Sequence, residues 1–307
     1  MMRKTQAQRS FAGALVLLGL AIGIALGCRA AAAQESEAPR EVGRIRSRDL
    51  SEISGLAASR RNPDVLWMHN DGESREVFAV ATTGKLVARV RVPLQLEDVE
   101  DIAIGPGPEK DVDYIYLGDI GDNAQRRREV RVVRFAEPAL EAGHDNIKAD
   151  GVEEFRLKYP DGARDAEALM VDPATGDVFL VTKDDRRTRL YRMAGGALND
   201  GGTASLELIG YLKVDAVSGG DISRAGDVIV LRNEKRGWLW QRQVGENVAA
   251  ALEGAPRIVL TRGLGQAANG ESIGFDFDGS RYYTISEGEF EPIYVFAVPE
   301  ASGGAGD

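Results

Sequence analysis

Cysteine is all but absent: Cys28 is the only one in 307 residues. No disulfide can form within the chain, and thiolate metal sites and redox pairs are excluded. Histidine is nearly as scarce, with only His69 and His144. The paired-histidine motif of zinc hydrolases therefore has no place here, and neither a phosphate-binding P-loop nor a dinucleotide fingerprint occurs. Basic residues are in deficit, with 38 Lys and Arg against 48 Asp and Glu and a net charge of −10. A surface of that sign repels phosphate backbones, which argues against nucleic acid as a partner. Long apolar runs are missing with one exception, residues 11–27. At 17 residues that run is short for a membrane span of about 20, and no membrane span is expected.

That run has the layout of an export signal. Arg3, Lys4 and Arg9 precede it, and Ala31-Ala32-Ala33 ahead of Gln34 forms a small-residue cleavage site. Residues 1–33 are therefore read as a signal peptide, 34–40 as a polar linker, 41–300 as one folded domain, and the Gly- and Ser-rich residues 301–307 as a disordered tail. An alternative processing site exists, because Ala25-Leu26-Gly27-Cys28 resembles a lipobox and cleavage there leaves Cys28 as a lipid anchor. Either route takes the chain out of the cytoplasm, to the periplasm or beyond. Cleavage after Ala33 removes Arg3, Lys4, Arg9 and Arg29 and no acid, so 38 basic residues less these four leaves 34 against 48 acidic.

What the chain does have is a repeated phrase. Ser54-Gly-Leu-Ala, Glu100-Asp-Ile-Ala, Glu167-Ala-Leu-Met, Gly220-Asp-Ile-Ser and Glu271-Ser-Ile-Gly stand 46, 67, 53 and 51 residues apart. Each copy opens a strand-like run, and between copies short strands alternate with turn signals such as Asn70-Asp71-Gly72 and Asp278-Gly279. A period of this length built of short strands predicts an all-β, five-bladed β-propeller, with the repeated phrase as the inner strand of each blade. The last blade has only three strands of its own, over 272–277, 281–286 and 293–298, while 43–48 is a strand without a blade. The N-terminal strand is expected to complete the last blade, because an unpaired edge exposes free N–H and C=O groups. The alternative is a sixth, irregular blade within 120–160. Helix is scarce, with short turns expected only at 138–143 and 247–252.

Inner strands of a propeller run along the channel and their starts converge. Glu100, Glu167 and Glu271 are then neighbours. Two unit charges about 5 Å apart repel by roughly 3 kcal/mol at an effective dielectric near 20. Such a cluster takes up either a cation or protons. Oxygen-only donors in a roomy ring suit Ca2+ better than zinc. The structural alternative is that these carboxylates accept backbone N–H groups and lock neighbouring blades together.

The order Ser, Glu, Glu, small, Glu at these spacings resembles the calcium-dependent apyrases, secreted five-bladed propellers that hydrolyse nucleoside di- and triphosphates. The resemblance implies one Ca2+ in the channel with Ser54, Glu100, Glu167 and Glu271 as ligands. At the fourth position this chain departs, with Gly220 flanked by Asp221, which is taken as the substitute ligand. The phrases Ile-Ser-Gly-Leu-Ala from Ile53, His69-Asn-Asp, Glu100-Asp-Ile-Ala and Gly118-Asp-Ile-Gly-Asp-Asn are also similar to exported bacterial propellers of the esterase-like phytase type, which implies no defined activity.

Polar residues follow the second strand of every blade, among them Asp71, Asp119, Lys183 and Arg232. Gathered at one mouth they are candidates to hold a small anionic ligand, with Asp71 or Asp119 orienting water and Lys183 and Arg232 neutralising charge. The stretch Gly270-Glu-Ser272-Ile-Gly274 matches the nucleophile-elbow pattern but lacks its strand–turn–helix setting and a partner histidine. Two functions follow from the sequence. One is a Ca2+-holding propeller that binds a small anion and hydrolyses phosphate esters or anhydrides. The other is a non-catalytic propeller that binds a partner protein in the cell envelope.

Overall fold

The computed structural model describes residues 38–184, 187–199, 202–263 and 269–300. The expected signal peptide, Cys28 and the tail 301–307 lie outside the described residues.

Five separate sheets form a ring, a five-bladed β-propeller. The inner strands are Ile53–Ala58, Val99–Pro106, Ala166–Val171, Gly219–Ile222 and Ser272–Phe275, in blades one to five. Each packs against the next, and the fifth returns to the first. They are apolar and small along most of their length because both faces are covered. Outer strands such as Leu86–Arg91 instead alternate buried and exposed side chains.

Every junction between neighbouring blades carries its own apolar cluster. Trp67 anchors the one between blades one and two, Tyr191 the next, and Trp238 and Trp240 the third. Tyr282 stacks on Phe296 between blades four and five, and Leu56 and Met68 pack between five and one. Trp67, Tyr191, Trp238, Trp240 and Tyr282, all at strand positions, are thus core.

The ring closes as expected. Arg40–Arg44 pairs antiparallel with Pro292–Ala297 as the outermost strand of blade five. The strand begins earlier than the expected 43–48, with a bulge between Glu41 and Gly43, so it takes in part of the expected linker.

The 67-residue step between Glu100 and Glu167, where a sixth blade was the alternative, has another use. Residues after blade two's third strand turn back, and Asn146–Lys148 adds in parallel to the outer edge of blade one. Thr203–Ser205 covers the edge of blade two in the same way. Both additions shield strand edges that would otherwise template aggregation. The helical turn expected at 138–143 does not form. The Asn62 side chain donates to Pro138 O at 3.0 Å and accepts from Leu140 N at 2.9 Å, which ties the start of this segment to blade one, and only a turn closed by His144 N on Glu141 O at 3.1 Å follows. The expected turn near Asn247 is a helix, Val248–Glu253, capped by the Asn247 side chain accepting from Ala250 N at 2.8 Å. Among the described residues no helix is long and apolar enough to cross a membrane.

Candidate metal centre at the channel mouth

The axial side chains owe their aim to a local irregularity. In the first three blades the pairing of inner and second strands skips one residue, between Ile53 and Gly55, Val99 and Asp101, and Ala166 and Ala168. The skipped residues are Ser54, Glu100 and Glu167. A bulge leaves its extra residue outside the ladder and redirects the side chain, here three times at the same point. Glu271 stands just before its inner strand.

Blade four is regular. Gly219 pairs with Arg232 and Gly220 with Leu231. By ladder register Gly220 matches Gly55, Asp101, Ala168 and Ser272, so Gly219, not Gly220, stands where the other blades carry their axial residue. The repeated phrase was aligned one residue too far along in this copy, because the bulges of the other copies are invisible in a sequence.

Asp221 is therefore inside the strand and away from the carboxylates. Its Oδ1 accepts from Ile222 N and its Oδ2 from Phe275 N of blade five, both at 2.8 Å. Asp101 does the same between blades two and three, accepting from Ile102 N at 2.8 Å and Leu169 N at 2.9 Å. Ser54 Oγ donates to Glu100 O at 2.7 Å and joins blades one and two. These three residues lock blades to one another. Replacing Asp221 by Asn puts an amide against a backbone N–H, and we expect a loss of about 2 kcal/mol in denaturant unfolding, with any response to Ca2+ unchanged.

The cluster itself is larger than Glu100, Glu167 and Glu271. Carboxylate oxygens of Asp71, Asp98 and Glu100 lie within 4.8 Å of one another, and so do those of Glu100, Asp165 and Glu167. Asp98 and Asp165 precede the bulged glutamates by two positions, and Asp71 follows the second strand of blade one. Asp98 and Asp165 were missed, although Asp98-Val-Glu100 and Asp165-Ala-Glu167 repeat an Asp-x-Glu spacing that signals them.

The Gly118–Asn123 phrase builds the wall beside these acids. A Cβ on Gly121 would lie 2.1 Å from Glu100 Oε1 and 2.5 Å from Asp98 Oδ2, so only glycine leaves room for both carboxylates. Asp122 N donates to Asp165 Oδ1 at 2.8 Å. Asp119 is wholly buried. It accepts from Glu97 N and Asp98 N and pairs with Arg127 at 2.9 Å and Arg131 at 2.5 Å. Every oxygen of Asp119 is thus committed to holding this loop, and none is turned to the channel to orient water.

Burial dominates the electrostatics. It pushes Glu100 up to about 10, helped by the charges of Glu167, Asp71 and Asp98. Burial likewise raises Glu167 to about 8, although Lys183 works against it. Burial and then Glu271 raise Glu287 to about 7, and burial raises Asp98. Lys183 is the cation of the cluster, with Nζ 3.0 Å from Glu167 Oε1 and 3.5 Å from Glu271 Oε1. Burial disfavours its charge, yet Glu167 and Glu271 hold it above the ordinary lysine range. The other oxygen of Glu167, Oε2, is shielded from solvent and has no hydrogen-bond partner.

Arg232 is fully buried, with Nη1 donating to Ser272 O at 3.0 Å and Nε to Asn233 O at 3.2 Å. Burial lowers it to about 9. It braces blades four and five rather than projecting from the mouth. His69 is buried and kept neutral, lowered to about 4 by burial. Ser272 Oγ donates to Ile285 O at 3.1 Å within its own blade, which leaves the elbow-like pattern without a nucleophile.

No family model and no curated protein matches the chain. Among solved structures, the PQQ-bound aldose sugar dehydrogenase of Streptomyces coelicolor is similar with a TM-score of 0.47 and 15% identity, over 84% of this chain and 97% of that one. A candidate 6-phosphogluconolactonase of Bacteroides uniformis gives 0.43 and 14%, over 84% and 71%. A chain of the nidogen/laminin complex gives 0.40 and 12%, over 76% and 72%. At such values these likenesses carry no argument about ligand or activity.

Proposed function

We propose that this protein is an exported propeller that binds Ca2+ at its channel mouth, through Asp71, Asp98, Glu100, Asp165 and Glu167, and through the metal binds a small anionic ligand. One observation carries the reading: two carboxylate triads, each with its oxygens within 4.8 Å of one another, share Glu100, and the buried Glu167 Oε2 has no partner. Uncompensated buried carboxylates cost free energy unless a cation or a proton joins them. All the donors are hard oxygens, which favours Ca2+ over softer ions. The inner-strand pattern that resembles the calcium-dependent apyrases supports the same metal, with Asp71, Asp98 and Asp165 in place of Ser54, Asp221 and Glu271 as ligands, Glu271 being paired with Lys183.

Among the described residues, the cations of the mouth are drawn to the protein's own groups. Lys183 pairs with Glu167 and Glu271, Arg127 and Arg131 with Asp119, and Arg232 with the carbonyls of Asn233 and Ser272, its Nη2 being buried without a partner. An anion approaching the bare mouth meets a negative field and is repelled. When bound, the metal supplies that field's reversal and Lewis-acid polarisation of a phosphoryl or carboxyl oxygen. Hydrolysis of a phosphate ester or anhydride is the catalytic form of this reading. The rival is a non-catalytic scaffold in the envelope, which the locking roles of Ser54, Asp101, Asp119 and Asp221 favour.

A soluble phosphomonoester such as p-nitrophenyl phosphate separates the two. It is expected to bind in Ca2+ and not in EDTA, with turnover marking the hydrolase and binding alone the scaffold. Absence of binding in both buffers counts against the anionic ligand.

A further inference from the structure

The two carboxylate triads share a residue. Asp71, Asp98 and Glu100 make one, Glu100, Asp165 and Glu167 the other. We propose that the mouth is a two-cation centre in which the Glu100 carboxylate bridges one ion held by Asp71 and Asp98 and a second held by Asp165 and Glu167. This inference rests on the cation-binding reading and adds to it the number of ions and the place of each.

The repeat architecture supports the pairing. Asp98 with Glu100 and Asp165 with Glu167 are the same device built twice: an Asp, one intervening residue, and a Glu thrown out of the ladder by a bulge. Adjacent blades bring the two copies side by side, so that Glu100 reaches both groups.

Charge points the same way. Asp71, Asp98, Glu100, Asp165, Glu167 and Glu271 are six carboxylates, and Lys183 is the one ammonium paired among them. Fully ionised, this set carries −6 and +1, a net −5. One divalent cation leaves −3, and two leave −1. With charges several Å apart and repelling by about 3 kcal/mol per pair, the second ion relieves a large remaining repulsion.

The coordination space is also in place. Lys183 takes Glu167 Oε1 at 3.0 Å and reaches away toward Glu271. Glu167 Oε2 stays buried without a partner, a free donor on the side of the second triad. On the side of the first, Gly121 carries no side chain, and a Cβ there would lie 2.1 Å from Glu100 Oε1 and 2.5 Å from Asp98 Oδ2. Paired divalent ions roughly 4 Å apart take an oxyanion across both metals. The ligand class is then a phosphate or carboxylate able to offer two oxygens.

Equilibrium dialysis of the full folded chain against Ca2+, with the bound ion counted by atomic emission, tests this. The expected result is two ions per chain. Asp71→Asn and Asp165→Asn are each expected to keep one, and Glu100→Gln to weaken both at least tenfold. Melting curves confirm that each variant is folded, and Asp71 is exposed at the rim, where substitution is tolerated. A Mn2+-loaded sample is expected to give the EPR spectrum of a spin-coupled pair. One ion per chain in the wild type overturns the two-cation centre while keeping the single-cation reading. No bound ion overturns both. Two ions retained in both Asp variants overturn the assignment of ligands.

Discussion

Ca2+ raises the melting midpoint of the EDTA-treated protein by several degrees, and Glu100→Gln abolishes the rise. A ligand at a hundredfold above its dissociation constant contributes about 2.7 kcal/mol, a shift of a few degrees in a domain of this size. Glu100 is the residue to change because it belongs to both triads. Without metal the substitution has the opposite sign. Burial already holds Glu100 up at about 10, so near neutrality the wild-type side chain is protonated. Gln replaces it with a neutral group of the same shape that needs no proton taken up on folding. The two melting curves are expected to cross: the variant melts at or above the wild type in EDTA and below it in Ca2+. A variant below the wild type in both buffers points to a hydrogen-bonding role for Glu100 and against a metal.

In EDTA the folded protein loses stability as pH rises from about 5 to about 8. The sign follows from Glu100 at about 10 and Glu167 at about 8, both above the ordinary 4.5. Through that window the unfolded chain has released these protons while the folded chain keeps them. The folded state therefore binds more protons, and stability falls with pH by about 1.4 kcal/mol per pH unit for each proton retained. Glu100 and Glu167 interact, so the transition belongs to the group as a whole. Ca2+ replaces those protons, because carboxylates bind metal deprotonated. In saturating Ca2+ the slope is expected to flatten, and the apparent Ca2+ affinity to increase with pH. Denaturant midpoints at three pH values in each buffer measure both effects. An EDTA-treated protein more stable at about pH 8 than at about pH 6 contradicts a protonated cluster.

The fold was legible because inner propeller strands are covered on both faces and so carry an apolar, small-residue text that recurs once per blade. The orphan strand at the N-terminus followed from counting edges. The site was legible only in part. Glu100, Glu167 and Glu271 announced themselves by recurrence, and Asp71 and Lys183 by their place after second strands. Asp98 and Asp165 escaped because acids ahead of a strand look like ordinary turn residues, and only the bulges bring them beside the glutamates. Asp221 misled because its copy offers only glycine at the axial position, so the next acid along, a blade lock, stood in as the supposed ligand. Asp119 and Arg232 share the positions of Asn70 and Thr182 at the ends of second strands, and there the polar side chain serves neighbouring backbone or arginine groups. The long step between Glu100 and Glu167 hid an edge-covering strand, whose three residues are too few to carry a pattern.

The channel mouth is expected to hold a divalent cation. A crystal of the protein grown with Ca2+ and measured at long X-ray wavelength locates the ion by its anomalous scattering. The expected result is a peak at Glu100, among the carboxylates of Asp71, Asp98, Asp165 and Glu167, at about 2.3–2.6 Å from the ligating oxygens as Ca2+ coordination requires. A mouth without a peak at saturating Ca2+, with Glu100 hydrogen-bonded to Asp98 or Glu167 through a proton, contradicts it.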